Sequence, residues 1–469
     1  MSNPLSPSWL SKPDDANALR EGVWPGSAVR NTEGELVFGG VPASELISAY
    51  GSPAYVVDQE ELELRAKHFH NIVTRACERN ATVGHVYYAS KALITGHVVQ
   101  WVSGQGLGFD VASGGEMAIA LAGGAPASSL EFQGNNKSES EITAALEAGV
   151  GCIVIDAPIE AERIDSIAGS MGMVAPVMVR VNTGVHADTH EYLATAREDQ
   201  KFGLSPAETA KLVAVIRGSK NLHFEGLHSH IGSQIFQVEG FLEAGTRLIA
   251  LYRELLEDGP VATINLGGGF GIAYTEADDP MELGAMVDQI VDHVAFEASK
   301  YGIPLPALAF EPGRVIAGPA GVTLYSVGVT KPVVVHDDQG SEATRLYVSV
   351  DGGMSDNARP ALYHASYSAR IASRESEAEP ALVRVVGKHC ESGDIVVSEE
   401  YLPGDVAPGD VLVVPTTGAY CYSLSSNYNA LGRPPMIGVR DGRHFLMVAG
   451  ESIDDVLARD QGFSVKAGS

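Results

Sequence analysis

Cysteine is scarce in this chain, which has four in 469 residues. They lie far apart and show no C-x-x-C spacing, so neither a zinc site nor a disulfide framework is indicated. We expect four free thiols: Cys77, Cys152 and Cys421 in apolar, core-like surroundings, and Cys390 among polar neighbours.

Long apolar runs and a basic excess are also missing. The chain has no run of about 18 apolar residues, the length needed to span a bilayer, and the N-terminus lacks the apolar core of a signal peptide. The 32 basic residues are outnumbered by 59 acidic ones, which gives a net charge of -27. This charge would repel a phosphate backbone or an anionic membrane, so we expect neither nucleic acid nor membrane as a partner. The absences together predict a cytoplasmic globular protein.

From about residue 54, strand-like apolar runs alternate with helical patterns, which is typical of βα units around a parallel sheet. Eight units in about 260 residues match a closed (β/α)8 barrel, although a doubly wound open sheet remains possible. Ser138 and Glu141 form a candidate capping box at the start of one helix. The predicted strands cover residues 85–89, 107–111, 130–133, 152–155, 176–181, 224–228, 263–266 and 307–310.

Polar residues follow most of these strands, which favours the barrel because its strand ends all meet at one face. We expect them to converge on one pocket. The set comprises Lys91, Asp110, Asn135, Asn136, Asp156, Arg180, Asn182, His228, His230, the glycines 267–269, Glu311 and Arg314.

After Arg314 the pattern changes to strands without long helices, which predicts a β domain with strands at residues 323–329, 345–350, 382–386, 395–397 and 411–414. Residues 183–203 could form a lid over the barrel mouth or an inert excursion. The first 30 residues are rich in proline and serine, so we expect them to be only partly ordered. The predicted domains are an N-terminal segment 1–50, a barrel 51–314 and a β domain 315–469.

Lys91 is the candidate reacting residue, because it closes the strand-like run HVYYASK (85–91). A lysine that loses water at the end of a buried strand has a lowered pKa, and its neutral amine can form an imine with an aldehyde cofactor. Taken alone, a surface lysine would be the more common interpretation.

Three further motifs suit the same cofactor. The glycines 267–269 would let backbone N-H groups approach a phosphate, and Glu311 could pair with a protonated ring nitrogen. His228 and His230 could form a metal pair, but no carboxylate or cysteine stands at a matching spacing, so a histidine stacked on an aromatic ring is the simpler interpretation. A lysine, a phosphate site, a flat ring and a carboxylate together describe a pyridoxal phosphate site.

The motifs also match a known family in order and spacing. The chain resembles the diaminopimelate decarboxylases, which belong to the alanine-racemase-like, fold-type-III pyridoxal phosphate enzymes. One departure is Leu93, where many relatives have asparagine. The matching stretches are YYASKAL (87–93), FDVASGGE (109–116), GNNKS (134–138), HSHIGSQ (228–234), LGGGFGI (266–272), EPGR (311–314), DGGMSDNARPALY (351–363), GKHCESGD (387–394) and GAYCYSLSSNYN (418–429).

The resemblance implies a (β/α)8 barrel with a C-terminal β domain that N-terminal residues complete. It implies that Lys91 forms the imine with pyridoxal phosphate, that His230 stacks on the pyridine and that Glu311 keeps the ring nitrogen protonated. Asp110 would support the lysine side of the pocket. The implied phosphate-binding residues are Ser233, Gly268, Gly269, Tyr420 and the backbone of Glu311, Pro312, Gly313 and Arg314.

The resemblance also implies the substrate, meso-diaminopimelate, which would lose carbon dioxide at its D-centre to give L-lysine. Cys390 would be the proton donor, with Lys91 as the other candidate. A homodimer is implied, in which the loop of Cys390 reaches the neighbouring subunit's site. Carried over by position, the substrate-binding residues are Arg314, Arg359, Tyr363, Glu391 and Tyr420.

Three alternatives remain at this point. A decarboxylase of ornithine or arginine would share the cofactor half of the site but would have no use for arginines that bind a second carboxylate. An amino-acid racemase would share the barrel and the lysine but would rely on a tyrosine base. A catalytically silent regulator of a related enzyme would not need Lys91, Glu311 and Cys390 intact.

Overall fold

The chain folds, in a computed structural model, into two compact units. The structure describes residues 3–185, 201–336 and 342–463. The first unit comprises residues 1–62, 272–279 and 317–469, and the second comprises 63–271 and 280–316. The predicted lid therefore lies mostly outside the described residues.

The chain begins with short elements of the first unit. A three-stranded antiparallel sheet is formed by β1 (Val29–Arg30), β2 (Leu36–Phe38) and β3 (Val41–Pro42), and it is followed by α1 (Ala43–Tyr50) and β4 (Ala54–Asp58).

The expectation that the first 30 residues are only partly ordered is wrong for those described. Val23 and Trp24 belong to a core cluster with Leu36, and Leu10 packs against Leu382 and Tyr401. The reason is that a few apolar side chains, spaced among the prolines, have a hydrophobic surface to bury.

The eight strands that follow form a closed parallel barrel, which confirms the predicted fold. Their order around the barrel follows the chain, and β12 pairs with β5 to close it. Each lies within two residues of its predicted bounds. The strands are β5 (Gly84–Ala89), β6 (Gly108–Val111), β7 (Leu130–Phe132), β8 (Cys152–Ile155), β9 (Ala175–Arg180), β10 (Leu222–His228), β11 (Thr263–Asn265) and β12 (Ala307–Phe310).

Helices alternate with these strands, and their buried apolar faces explain the helical periods of the sequence. The predicted capping box is present, with Ser138 and Glu141 bonding each other's backbone N-H at the start of one helix. The helices are α2 (Gln59–Arg79), α3 (Gly96–Ser103), α4 (Gly114–Ala122), α5 (Glu139–Ala148), α6 (Pro158–Met171), α7 (Pro206–Gly218), α8 (Glu239–Leu256), α9 (Leu283–Tyr301) and α10 (Arg314–Ala317).

The remaining chain is built mainly of strands, as predicted. They form a mixed sheet in the order β17-β16-β14-β13-β4-β19-β20, which the early strand β4 completes between β13 and β19. The elements are β13 (Gly321–His336), β14 (Glu342–Val350), α11 (Arg359–Tyr363), β15 (Arg370–Ile371), β16 (Pro380–Val386), β17 (Ile395–Pro403), β18 (Val411–Val414), β19 (Met436–Arg440), β20 (Arg443–Val448) and α12 (Ile453–Ala458).

Candidate active site

The amine of Lys91 lies just after β5, at the carboxyl end of the barrel strands. Its Nζ is 3.9 Å from Oδ2 of Asp110, and the backbone N-H of Ser90 donates to the carbonyl of Asp110 at 3.0 Å. The loss of water expected for Lys91 at the end of its strand is not found in the described chain, because 47% of its side chain is exposed. Lys91 lies beyond the strand, at the end where the barrel opens. Its amine is therefore accessible to solvent, and the buried carboxyl group of Asp110 lies beside it.

Glu311, directly after β12, is the most strongly bonded carboxylate of the barrel interior. Its Oε1 accepts hydrogen bonds from Gln133 Nε2 at 2.7 Å, His228 Nε2 at 2.9 Å and Asn265 Nδ2 at 2.9 Å. Burial by itself would raise the pKa of Glu311, but His228 and Lys91 hold the pKa at about 2. Donors that bond the charged form keep this carboxylate ionised although only 4% of the residue is exposed.

His230, two residues beyond the end of β10, offers a neutral ring. Its Nδ1 accepts a hydrogen bond from the backbone N-H of Gly268 at 3.1 Å, which assigns the ring proton to Nε2. Burial, with the nearby charge of Lys91, lowers the pKa of His230 to about 3. His228 instead bonds Glu311, so the two histidines serve separate contacts and do not form the pair considered for a metal.

The glycines 267–269 bring the ends of β10, β11 and β12 into close contact. A Cβ at Gly268 would lie 1.9 Å from the carbonyl oxygen of Glu311, and one at Gly269 would lie 2.4 Å from that of Gly232. Gly267 and Gly269 also have positive φ angles of 70° and 110°. Only glycine fits this turn, and it leaves backbone groups uncovered at the barrel's strand ends.

The remaining predicted cofactor residues of this unit lie around the same strand ends. Arg314 Nη2 donates to Ser233 Oγ at 2.9 Å. The backbone N-H of Ala89 donates to the carbonyl of Pro312 at 3.0 Å, and a Cβ at Gly313 would lie 3.0 Å from Ala89 Cβ. The EPGR turn is thereby held against the segment that leads to Lys91.

The donor set fits pyridoxal phosphate. An accessible lysine amine suits the aldehyde, a neutral imidazole suits the pyridine face and an ionised carboxylate suits a protonated ring nitrogen. Lys91, Glu311 and Arg180 all act electrostatically on His230, which shows that these side chains share one region. Asp110 Oδ1 is buried and has no hydrogen-bond partner among the described residues.

Other predicted residues belong to the first unit. Arg359, the first residue of α11, is buried, whereas Tyr363 at the end of that helix is 64% exposed. Tyr420 adopts a left-handed backbone with φ of 67°, which is uncommon for a residue with a side chain and is found at sites where geometry matters.

Cys390 and Glu391 are exposed on a loop that Asp394 organises. The carboxylate of Asp394 accepts from the backbone N-H of Met354 at 2.7 Å and of His389 at 2.8 Å. Cys390 donates its own backbone N-H to Asn429 Oδ1 at 3.1 Å. The prediction of four free cysteines is confirmed, with Cys390 the exposed one.

Three residues of the barrel network, Glu131, Gln133 and Asn265, were not among the predicted site residues. Asn265 Nδ2 donates to Glu131 Oε2 at 2.7 Å as well as to Glu311, and its Oδ1 accepts from the Gly267 N-H at 2.9 Å. A rule that also counts the residues at the end of each strand would have found Gln133 and Asn265, but not Glu131, which is the middle residue of β7. Tyr274 and Tyr367, which pack on Arg359, had no such signal.

Among the residues that the structure describes, no helix is long and apolar enough to cross a bilayer.

Comparisons with known proteins identify the family. Residues 68–318 match the model of the pyridoxal-dependent decarboxylase, pyridoxal binding domain. The diaminopimelate decarboxylase of Mycobacterium tuberculosis is 46% identical over 451 residues, which is 94% of this chain and 98% of that protein. The enzyme of that name from Bacillus subtilis is 40% identical, covering 93% and 98%.

A solved structure supports the same assignment. The diaminopimelate decarboxylase of M. jannaschii, determined in a complex with L-lysine, superposes with a TM-score of 0.84 at 30% identity and covers 93% of this chain and 98% of its own. Fold and site thus define a pyridoxal phosphate-dependent decarboxylase, a carboxy-lyase. Within that class, the chain belongs to the diaminopimelate decarboxylase family.

Proposed function

We propose that this protein converts meso-2,6-diaminopimelate, by decarboxylation at its D-centre, into L-lysine and carbon dioxide, the last step of lysine biosynthesis. Relatives of 40–46% identity over nearly the whole chain bear the name of that activity. The observation that carries the proposal is the buried Arg359, which forms no ion pair with any acidic side chain of the described residues. Such an arginine is suited to a carboxylate that arrives with the substrate.

We propose cofactor roles for the barrel residues. Lys91 would supply the amine that holds the cofactor, His230 would stack on its ring, and Asp110, 3.9 Å from the amine, would orient it. When bound, the pyridinium ring accepts the electron pair that carbon dioxide leaves behind. Glu311 keeps a proton on the ring nitrogen, because its own low pKa preserves the negative charge there. The phosphate would be held by Ser233, Gly268, Gly269, Tyr420 and the turn of Pro312, Gly313 and Arg314.

We propose that separate residues bind the carboxylate and the amino group at the distal end of the substrate. Arg314, Arg359, Tyr363 and Tyr420 would hold the distal carboxylate, and Glu391 the distal amino group. Paired guanidinium donors match a carboxylate better than an ammonium does. Cys390 would protonate the carbon that loses the carboxylate, with Lys91 as the alternative donor.

We also propose a homodimer in which the loop of Cys390 and Glu391 completes the site of a second copy. Both residues are exposed in the single chain, as is Tyr363 of the proposed substrate set. Exposed groups cannot exclude water from a reaction, so a partner surface is needed to enclose them. A cytoplasmic location stays a prediction from the sequence.

The test is carbon dioxide release from meso-diaminopimelate, with L-lysine, ornithine and arginine assayed in parallel as substrates. The absorbance of the protein should first be recorded to establish that cofactor is bound. Release from meso-diaminopimelate alone supports the proposal. Bound cofactor with release only from ornithine, arginine or lysine, or with racemisation in place of release, would refute it.

A further inference from the structure

Arg359 lies inside a cage of three tyrosine rings, all within the first unit. Its Cζ is 4.8 Å from the ring centre of Tyr274, 5.5 Å from that of Tyr367 and 5.9 Å from that of Tyr420. Tyr274 and Tyr367 pack edge to face, with centres 5.1 Å apart and an interplanar angle of 80°. The guanidinium is therefore covered by aromatic faces, which attract a cation without neutralising it.

One hydroxyl fixes the rotation of this guanidinium. Arg359 Nη1 donates to Tyr367 Oη, and this is the arginine's one side-chain hydrogen bond among the described residues. Tyr367 is 1% exposed, and its hydroxyl lies 3.6 Å from the sulfur of the fully buried Cys421, which can accept a hydrogen bond from that hydroxyl. A chain of contacts thus runs from Cys421 through Tyr367 to Arg359.

This arrangement leaves most of the guanidinium's donors for a ligand. A guanidinium carries five N-H donors, and one is used by Tyr367. A carboxylate binds such a group best through two parallel hydrogen bonds, which requires the plane of the guanidinium to be held at one angle. The aromatic faces restrict its tilt, and the directional hydrogen bond to Tyr367 restricts its rotation within its own plane.

We propose that Tyr367 is a positioning residue, whose hydroxyl orients Arg359 toward the second carboxylate of the substrate. This inference rests on the proposed function and deepens it. Arg359 and Tyr367 together, and not the arginine alone, then set the preference for a substrate that carries two carboxylates.

The test is the holoenzyme variant Tyr367→Phe, which removes one oxygen and keeps the ring. We expect KM for meso-diaminopimelate to rise about tenfold, because a hydrogen bond to a charged group is lost, while kcat stays within about twofold. Tyr401→Phe is the matched control, since Tyr401 is another tyrosine with 1% exposure in the same unit, and its hydroxyl accepts from the Asn3 N-H at 3.3 Å. The control should leave KM unchanged.

A pair of inhibitors separates positioning from a general structural effect. L-Lysine retains one carboxylate and cadaverine retains none, so Tyr367→Phe should weaken inhibition by L-lysine about tenfold and leave that by cadaverine unchanged. Equal weakening of both would overturn the proposal. In an Arg359→Ala background, Tyr367→Phe should have no further effect on KM, because Tyr367 acts through Arg359.

The outcomes distinguish this inference from the proposed function. An unaltered enzyme that releases no carbon dioxide from meso-diaminopimelate would overturn both. An active enzyme whose Tyr367→Phe variant keeps its KM and its L-lysine inhibition would overturn the positioning role alone. If Tyr367→Phe does not fold, Cys421→Ala decides: a smaller KM increase in the same direction supports the contact chain, and no change refutes it.

Discussion

Two buried carboxyl groups in the barrel, Glu311 and Glu131, differ in charge because they differ in the groups that face them. Glu311 accepts three hydrogen bonds at one oxygen, whereas Glu131 receives one from Asn265 and has an Oε1 without a partner in the described structure. Burial, followed by repulsion from Glu311 and Asp110, raises the pKa of Glu131 well above its usual value. Glu311 is therefore the ionised member and Glu131 the neutral one.

The variants Glu311→Gln and Glu131→Gln should consequently behave differently. Glu311→Gln removes a charge, and the loss of one preorganised electrostatic partner costs about 10²- to 10³-fold in turnover. Glu131→Gln replaces a neutral acid by a neutral amide of the same shape, so turnover should stay within about threefold of the unaltered enzyme. Steady-state kinetics check this, with absorbance showing that both variants bind cofactor. Near-normal turnover of the Glu311→Gln variant would contradict the role proposed for Glu311.

Asp110 makes the free energy of unfolding of the cofactor-free protein depend on pH, and the direction follows from the shift of its pKa. Burial, followed by repulsion from Glu311, raises the pKa of Asp110 from 3.8 to about 8 in spite of Lys91. Between these two pH values the folded chain holds a proton that the unfolded chain has released. The contribution of Asp110 to the free energy of unfolding is thus fully present below about pH 4 and is lost as the pH rises to about 8.

The variant Asp110→Asn cannot titrate, so its stability relative to the unaltered protein should increase with pH. We expect the advantage to grow by more than about 1 kcal/mol between pH 5 and pH 8, measured by urea unfolding of cofactor-free protein. Asp292→Asn is a control that should show no change across this window: burial raises the pKa of Asp292, but the hydrogen bonds from Arg79 and Asn80 lower it further, so this carboxyl stays ionised from pH 5 to pH 8. A stability difference that does not change with pH would contradict the assignment for Asp110.

At the scale of elements, the sequence predicts the barrel strands well because each is a short apolar run with a turn on either side. It predicts the partners of Glu311 less well. Gln133 follows β7 and Asn265 ends β11, and they meet only because the barrel closes and directs both side chains inward. Alternation along a strand gives two faces, but a strand of three residues is too short to reveal which one faces inward.

The strands of the first unit are also predicted less well than the barrel strands. The sequence predicts a strand at residues 323–329, whereas β13 extends from Gly321 to His336 as one arm of a hairpin with β14. Its second half leaves Val329 and Val334 more than half exposed, so burial does not mark its end. The strands β15, β19 and β20 were not predicted. β19 pairs with β4, more than 370 residues earlier in the chain, and such pairing leaves no local signal.

The glycine turn after β11 allows a test at this scale. Gly268→Ala places a Cβ 1.9 Å from the Glu311 carbonyl, so backbone must move apart at the end of β12. We expect the free energy of unfolding to fall by more than about 2 kcal/mol, with weaker retention of the cofactor. Gly96→Ala is the matched control at the first residue of α3, where nothing lies within 4 Å, and it should be neutral or slightly stabilising. Equal melting temperatures for the two variants would contradict the steric argument.

At the scale of the whole molecule, the proposed reaction needs groups that the single chain leaves in solvent. Cys390 and Glu391 are exposed, and so are Leu362 and Tyr363, at 59% and 64%. The loop itself is firmly built through Asp394, so its exposure is a property of a defined surface. Exposed apolar and reactive residues of this kind are suited to a symmetric partner.

A mixing experiment tests whether two copies share their sites. Lys91→Ala and Cys390→Ala each should inactivate a dimer, because each removes a group from both sites. If the Cys390 loop serves the neighbouring copy, a mixed dimer keeps one site in which both groups are intact. Random exchange makes half of the dimers mixed, so the mixture should recover about a quarter of the unaltered activity.

The control replaces the loop variant by a second barrel variant. Lys91 and Glu311 are proposed to hold the same bound cofactor within one barrel, so a mixture of Lys91→Ala and Glu311→Gln should leave every site with one defect. We expect no recovery in that mixture beyond the residual activity of Glu311→Gln. Recovery in both mixtures would mean that subunit exchange raises activity without complementation. Failure of the first mixture, with exchange shown by differently tagged chains, would place Cys390 and Lys91 of one chain in the same site.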